Sequence, residues 1–232
     1  MRFLEARHVH AIELVVISHL HPDHLLGLGP VVRAMPVIEL WLVRPPDEGD
    51  DVAAPFDATM AAVLEEGDAH GTRIVNPPLG LARDEAGVRL TVLAPTYEGP
   101  LAAVDPVRSV NDNSLVIAIE RVGRRFLFTG DIEREGEDIL VAAAAQGLGA
   151  DVVKVPHHGS PTSSAASFVA AVAPRFAVIS CGLGNRFGFP SARVVERWQA
   201  AGATVLRTDE RGAVTVVVDA GGRIGVSVFS QR

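Results

Sequence analysis

Residues 12–28 read IELVVISHLHPDHLLGL. An apolar, β-branched run ends directly in His19, His21, Asp23 and His24. Gathering imidazoles and a carboxylate where a buried strand ends is costly unless a cation repays their desolvation. That restricts the chain to folds in which this strand end opens onto a site. Side chains two apart on a strand point the same way, so His19 and His21 reach one ion together. Pro22 stiffens the turn. Asp23 and His24 then open the next helix and reach a second ion. Nitrogen and oxygen donors without thiolate suit zinc, with manganese or iron as alternatives. Asp23 alone reads equally well as a helix N-cap, but capping has no use for three histidines.

With 232 residues, 48% of them hydrophobic and 21% charged, the chain has the composition of a folded domain. A net charge of −7 disfavours holding nucleic acid by Lys and Arg alone, and a bound metal would change that balance locally. A lone cysteine, Cys181, excludes an internal disulfide. No run is long enough for a membrane span and the N-terminus carries no secretory pattern. The expectation is a soluble protein, cytoplasmic by default and membrane-associated if part of a longer polypeptide.

Val/Ile-rich runs alternate with Ala-rich helical runs, an α/β or α+β signature. Strand patterns fall at 13–18, 37–43, 73–75, 88–94, 115–120, 125–129, 151–155, 176–180, 204–207, 213–219 and 223–229. Helical patterns fall at 23–35, 57–68, 133–146, 164–172 and 191–201. Pro, Gly and Asp mark surface loops at 44–56 and 96–111. Neither reads as an interdomain linker, so residues 1–232 are expected to form a single domain.

Two further strand ends carry ligand-type residues. FLFTGDIE, 126–133, presents Asp131 after Gly130, where capping is again the simpler reading. DVVKVPHHGSPTSS, 151–164, sets His157 and His158 beside a glycine, which packing does not explain. The remaining histidines, His8, His10 and His70, read as surface residues.

HLHPDH, NDNSLVI, FLFTGDIE, VKVPHHGSPTSS, CGLGNRFGFPS and LRTDERGAV resemble, in that order, the metallo-β-lactamase-fold hydrolases typified by the C-terminal domain of the DNA-uptake competence protein ComEC. The resemblance runs from about residue 1 to residue 230. It implies an α+β fold, a four-layer αββα sandwich with a two-metal site, holding zinc or manganese. His19 and His21 would hold one ion, and Asp23, His24 and His157 the other. Asp131 would bridge them. His158 would lie behind the ligands or donate a proton, and the order of His157 and His158 stays open. Asn111, Ser114, Ser160 and Asn185 are the expected substrate contacts. Ser160, Thr162 and Ser163 are either hydrogen-bond donors to substrate or caps for the helix that follows.

Two departures stand out. Such domains open with a D-V-G-Q-G-D strand and a second strand carrying an acidic residue before glycines. This chain starts later, which implies that the first strands are missing, through a misplaced start, a fragment or a pared-down version. Phe189 stands where such domains often carry histidine.

The implied activity is metal-dependent hydrolysis of a phosphodiester, as in a nuclease, through a metal-bound hydroxide. Asp131, His158 and Asp23 are the catalytic candidates. The expected partner is single-stranded DNA or another phosphodiester. Phe187 and Phe189 are the best stacking candidates, and most arginines, including those of RVGRR at a hairpin turn, read as solvated. The alternatives are a hydrolase for a lactam, thioester or small phosphoester, and a non-catalytic truncated module that self-associates through an exposed sheet edge.

Overall fold

The structure, a computed structural model, describes residues 2–43, 63, 65, 71–96, 105, 107–144 and 147–229. The expected loop at 44–56 and His70 lie outside these residues. So do most of the expected helix at 57–68 and positions 97–104 and 106 of the expected loop at 96–111. The chain divides into two compact units: Met1–Pro78 with Thr96–Val110, and Leu79–Pro95 with Asn111–Arg232. No helix among the described residues is long and apolar enough to cross a membrane.

The first unit is built on a three-stranded parallel sheet of β1 (Ile12–Ile17), β2 (Val37–Leu42) and β3 (Arg73–Val75), in that order. Ile17, Leu28, Val32, Val37 and Leu40 form its core. Burying each such side chain contributes about 1.5–3 kcal/mol. The helical pattern at 23–35 resolves into two pieces, Pro22–Leu25 and Leu28–Ala34. The reason is local: Pro30 has no N–H for the bond that would bridge Gly27. Buried Glu39 is partnered by Trp41 Nε1 and by the guanidinium of Arg73, its cross-strand neighbour.

The second unit holds a seven-stranded mixed sheet, ordered β10-β9-β8-β7-β6-β5-β4. Its strands are β4 (Ala82–Glu85), β5 (Val88–Ala94), β6 (Val116–Arg121), β7 (Arg124–Phe128), β8 (Val152–Lys154), β9 (Phe176–Ile179) and β10 (Thr204–Arg207). Strands β4 to β7 run antiparallel. Two-residue turns, Ala86–Gly87 and Val122–Gly123, join two of these pairs, and both residues of each turn have positive φ, as the twist of a tight hairpin requires. Strands β7 to β10 run parallel. Parallel neighbours need crossovers, supplied by the helices Arg134–Ala143, Ala166–Val172 and Ala192–Ala200.

Those helices bury one face each. Phe168, Val169 and Val172 come from one helix, Val194 and Trp198 from another, and both sets meet Leu127, Val153 and Ile179 of the sheet. The Phe168 and Trp198 rings meet edge to face at 6.2 Å, worth about 0.5–1.5 kcal/mol beyond burial. An antiparallel hairpin, β11 (Ala213–Val218) with β12 (Ile224–Phe229), completes the unit. Arg124 Nε donates to Gly222 O in its turn at 2.6 Å.

Candidate functional site

Strand β1 delivers the first set of side chains. Past Ile17, His19 is buried and its ring meets those of His21 and His24, with centroids 4.6 and 4.3 Å away. His19 Nε2 lies 3.0 Å from His21 Nδ1, and the Ser18 hydroxyl lies 3.1 Å from Nδ1 of both His19 and His24. Metal-binding imidazoles use one ring nitrogen for the ion and hold the other in a hydrogen bond. Ser18 supplies that second bond twice. Asp23 is exposed, with Oδ2 3.7 Å from His24 Nε2. Three imidazoles packed ring to ring on His19, beside a carboxylate, form a donor set that fits a divalent cation.

The second set stands at the carboxyl ends of β7 and β8, which run parallel and so finish side by side. Asp131 is buried just past β7. Its backbone N–H donates to Ser114 Oγ at 3.1 Å, and Lys154 Nζ lies 3.3 Å from its Oδ1. Lys154 also donates to Gly130 O at 3.0 Å. His158 Nε2 lies 3.2 Å from Asp131 Oδ2, while His158 Nδ1 is 2.7 Å from Ser180 O. A carbonyl only accepts, so Nδ1 carries the proton in that bond. In neutral His158 the Nε2 lone pair would then face a carboxylate oxygen. Only a proton or a cation between them reconciles the two. The hydrogen bond to Asp131 accordingly holds the His158 pKa above its ordinary value, against burial, which lowers it. The donors fit a metal that takes the proton's place.

His157 goes elsewhere. Its Nδ1 lies 3.0 Å from Glu133 Oε1, too poorly aligned for a hydrogen bond, and its ring meets Phe189 at 5.6 Å. The structure therefore sets His158, and not His157, against Asp131. Both histidines have left-handed backbones, φ 46° and 54°, costing about 1–3 kcal/mol each. Strain of this kind marks a turn held in shape by its surroundings. Gly159 completes it at φ 81°, where an added Cβ would fall 2.6 Å from Pro190 Cβ.

The expected substrate contacts are largely engaged within the second unit. Ser114 is buried under Asp131 as described. Ser160 Oγ pairs with Thr162 Oγ1 at 2.8 Å, and Thr162 donates on to Glu133 Oε1 at 2.6 Å. Ser163 donates to Pro156 O and Ser160 O, so these hydroxyls brace the turn, with Thr162 also exposed. Asn185 spends its amide on its own loop: it donates to Gly182 O and Phe189 O and accepts from Phe189 N. Asn111 Oδ1 is buried and takes no hydrogen bond among the described residues. Asp112 caps the helix Arg134–Ala143, accepting from Glu133 N and Gly136 N at 2.6 and 2.9 Å.

Three participants were not singled out by sequence. Lys154 had a visible signal, a charge inside the apolar run VVKV. Ser18 had a weaker one, a hydroxyl next to the first histidine. Glu133 had none, because a carboxylate opening a helix is ordinary.

The fold and this chemistry define a metal-site protein: the chain belongs to the metallo-beta-lactamase superfamily, whose family description matches residues 2–183. It has the α+β metallo-β-lactamase fold and a candidate metal-binding set of His and Asp side chains. Members of this superfamily are generally hydrolases. Among individual proteins it is similar to ComE operon protein 3 of Bacillus subtilis (strain 168), 30% identical over 91% of this chain and 25% of that protein. It is 38% identical to competence protein ComA of Neisseria gonorrhoeae, over 50% of this chain and 17% of that protein. Recombination protein 2 of Haemophilus influenzae is 28% identical over 88% of this chain and 22% of that one. The chain thus spans a quarter or less of these relatives. Its fold is also like that of CmlA, a diiron beta-hydroxylase from Streptomyces venezuelae. There the TM-score is 0.53 at 15% identity, over 85% of this chain and 44% of that one.

Proposed function

We propose that this chain is a metal-dependent phosphodiesterase acting on single-stranded nucleic acid. The observation that carries the reading is the opposition of His158 Nε2 and Asp131 Oδ2 at 3.2 Å, a pair of donors that a divalent cation can join in place of a proton. The residues that would hold two divalent ions, zinc or manganese, are His19, His21, Asp23 and His24 on the first unit and Asp131 and His158 on the second. The order of HLHPDH, TGD and HHGS along the chain supports assigning both sets to metal binding.

Bound divalent ions lower the pKa of a water molecule and neutralise the charge of a phosphodiester. The protein's own share is positioning. Ser180 O fixes the His158 tautomer through Nδ1, and Ser114 Oγ fixes the backbone of Asp131. Lys154 sets a positive charge beside Asp131, where an anionic substrate gains from it. The left-handed His157–His158 turn keeps these groups in place before substrate arrives.

The test is metal content with turnover of bis-p-nitrophenyl phosphate and single-stranded DNA, in the wild type and in Asp131→Ala. The wild type should carry metal and turn both over, and the variant should lose about a hundredfold or more. A metal-free wild type, or equal turnover by the two proteins, would remove the proposal.

A further inference from the structure

The loop that follows β9 within the second unit is shaped in a way the hydrolytic chemistry does not require. Phe187 stacks on Phe189 with centroids 5.6 Å apart and planes 20° apart. The guanidinium of Arg186 lies 4.8 Å over the Phe187 ring. Phe187 is 64% exposed. Aromatic side chains are normally drawn inward by the area they bury, so a stack whose outer ring, Phe187, is left open to solvent over a half-buried Phe189 is suited to a ligand.

The loop is also rigid. Three hydrogen bonds from one side chain, Asn185, tie Gly182 to Phe189 across its neck. Ser191 N donates to Gly159 O at 2.9 Å, and the Pro190 ring closes on Gly159. The Phe189 ring meets His157. The stack is thereby locked to the turn that carries His158, one residue from the groups opposite Asp131.

We infer that Phe187 and Phe189, with Arg186, form a stacking platform for a base of single-stranded nucleic acid, fed toward the site beside it. A planar cation already rests on Phe187. A base takes its place on the ring, and the displaced guanidinium meets the adjoining phosphate. An apolar protein surface fits poorly, because it would strip water from Arg186 without supplying an anion. A nucleotide brings a π-face and a phosphate together. The platform rests on the proposed function for the substrate class alone, since base binding is measurable without turnover.

The experiment is fluorescence anisotropy on the full chain with a labelled oligothymidylate and an abasic strand of equal length. The wild type should prefer the strand with bases. Phe187→Ala should weaken oligothymidylate binding by about five- to a hundredfold, with the abasic strand bound as before, and Phe187→Trp should restore it. The platform is overturned if the wild type treats the two strands alike, including by binding neither. It is overturned equally if Phe187→Ala binds oligothymidylate as the wild type does, or if a folded Phe187→Trp recovers nothing. Base-preferring binding without phosphodiester turnover would keep the platform and remove the hydrolase. Turnover without base preference would do the reverse.

Discussion

The two units order their functional side chains by opposite means. On the first, the rings of His21 and His24 stand against that of His19, and the hydroxyl of Ser18 joins His19 and His24. On the second, Asp131 and His158 have fixed protein partners in Lys154, Ser114 and the Ser180 carbonyl. The buried carboxylates differ in parallel. Glu39 in the first unit has a guanidinium and an indole N–H from neighbouring side chains. Among the described residues, Glu137 in the second accepts from the backbone N–H groups of Ser164 and Ala165 alone, so it stitches one helix to the start of the next.

That contrast can be broken most sharply by pH. Burial raises the Glu137 pKa from 4.5 to about 7, outweighing its two backbone donors, with Asp112 and Asp138 adding repulsion. The folded chain then holds this proton more tightly than the unfolded chain. The contribution is complete below about pH 4.5 and is lost as pH rises to about 7. The loss should be on the order of 3 kcal/mol. Each unit holds one of the two tryptophans, Trp41 and Trp198. Urea melts of a Trp41→Phe variant therefore report the second unit through Trp198, and Glu137→Gln should flatten their pH dependence. A profile as steep in Glu137→Gln would assign the effect to another group.

A middle-sized effect is expected from Ser18→Ala. Losing the hydroxyl that orients His19 and His24 should weaken metal binding by about 10- to 100-fold, read by competition with a chromophoric chelator. Unchanged affinity would mean that packing alone orients those rings. The smallest effect is Thr72→Val, which removes the 2.7 Å bond to Val37 O at about 1 kcal/mol. Its shift should appear in melts followed by Trp41 in a Trp198→Phe background. An equal shift at Trp198 would show that the two units unfold as one.

Much of this architecture was legible in advance because buried strands announce themselves. Arg73–Val75, Val88–Ala94 and Thr204–Arg207 end where the pattern of apolar residues ends. Ala82–Glu85 escaped notice since its sequence, ARDE, is charged on both faces and becomes a strand only by pairing with β5. The histidines and Asp131 were legible because their chemistry is conspicuous. Which of two adjacent histidines turns toward Asp131 was not, since that depends on two left-handed residues that only the finished turn enforces. The bonds of Asn185 were not legible either: its amide is engaged by Gly182 and Phe189 of its own loop, a pairing set by the finished loop.

Strands β7, β8 and β9 share a direction, so reactive groups and mere connections segregate to opposite poles of the sheet. Asp131, His158 and the aromatic loop crowd one pole. The return at Ala201–Gly202, which leads into β10, belongs to the other and is exposed. A fluorophore or a purification tag grafted at that return sits far from the chemistry. The same graft within 182–190 would dismantle the loop that we assign to a base.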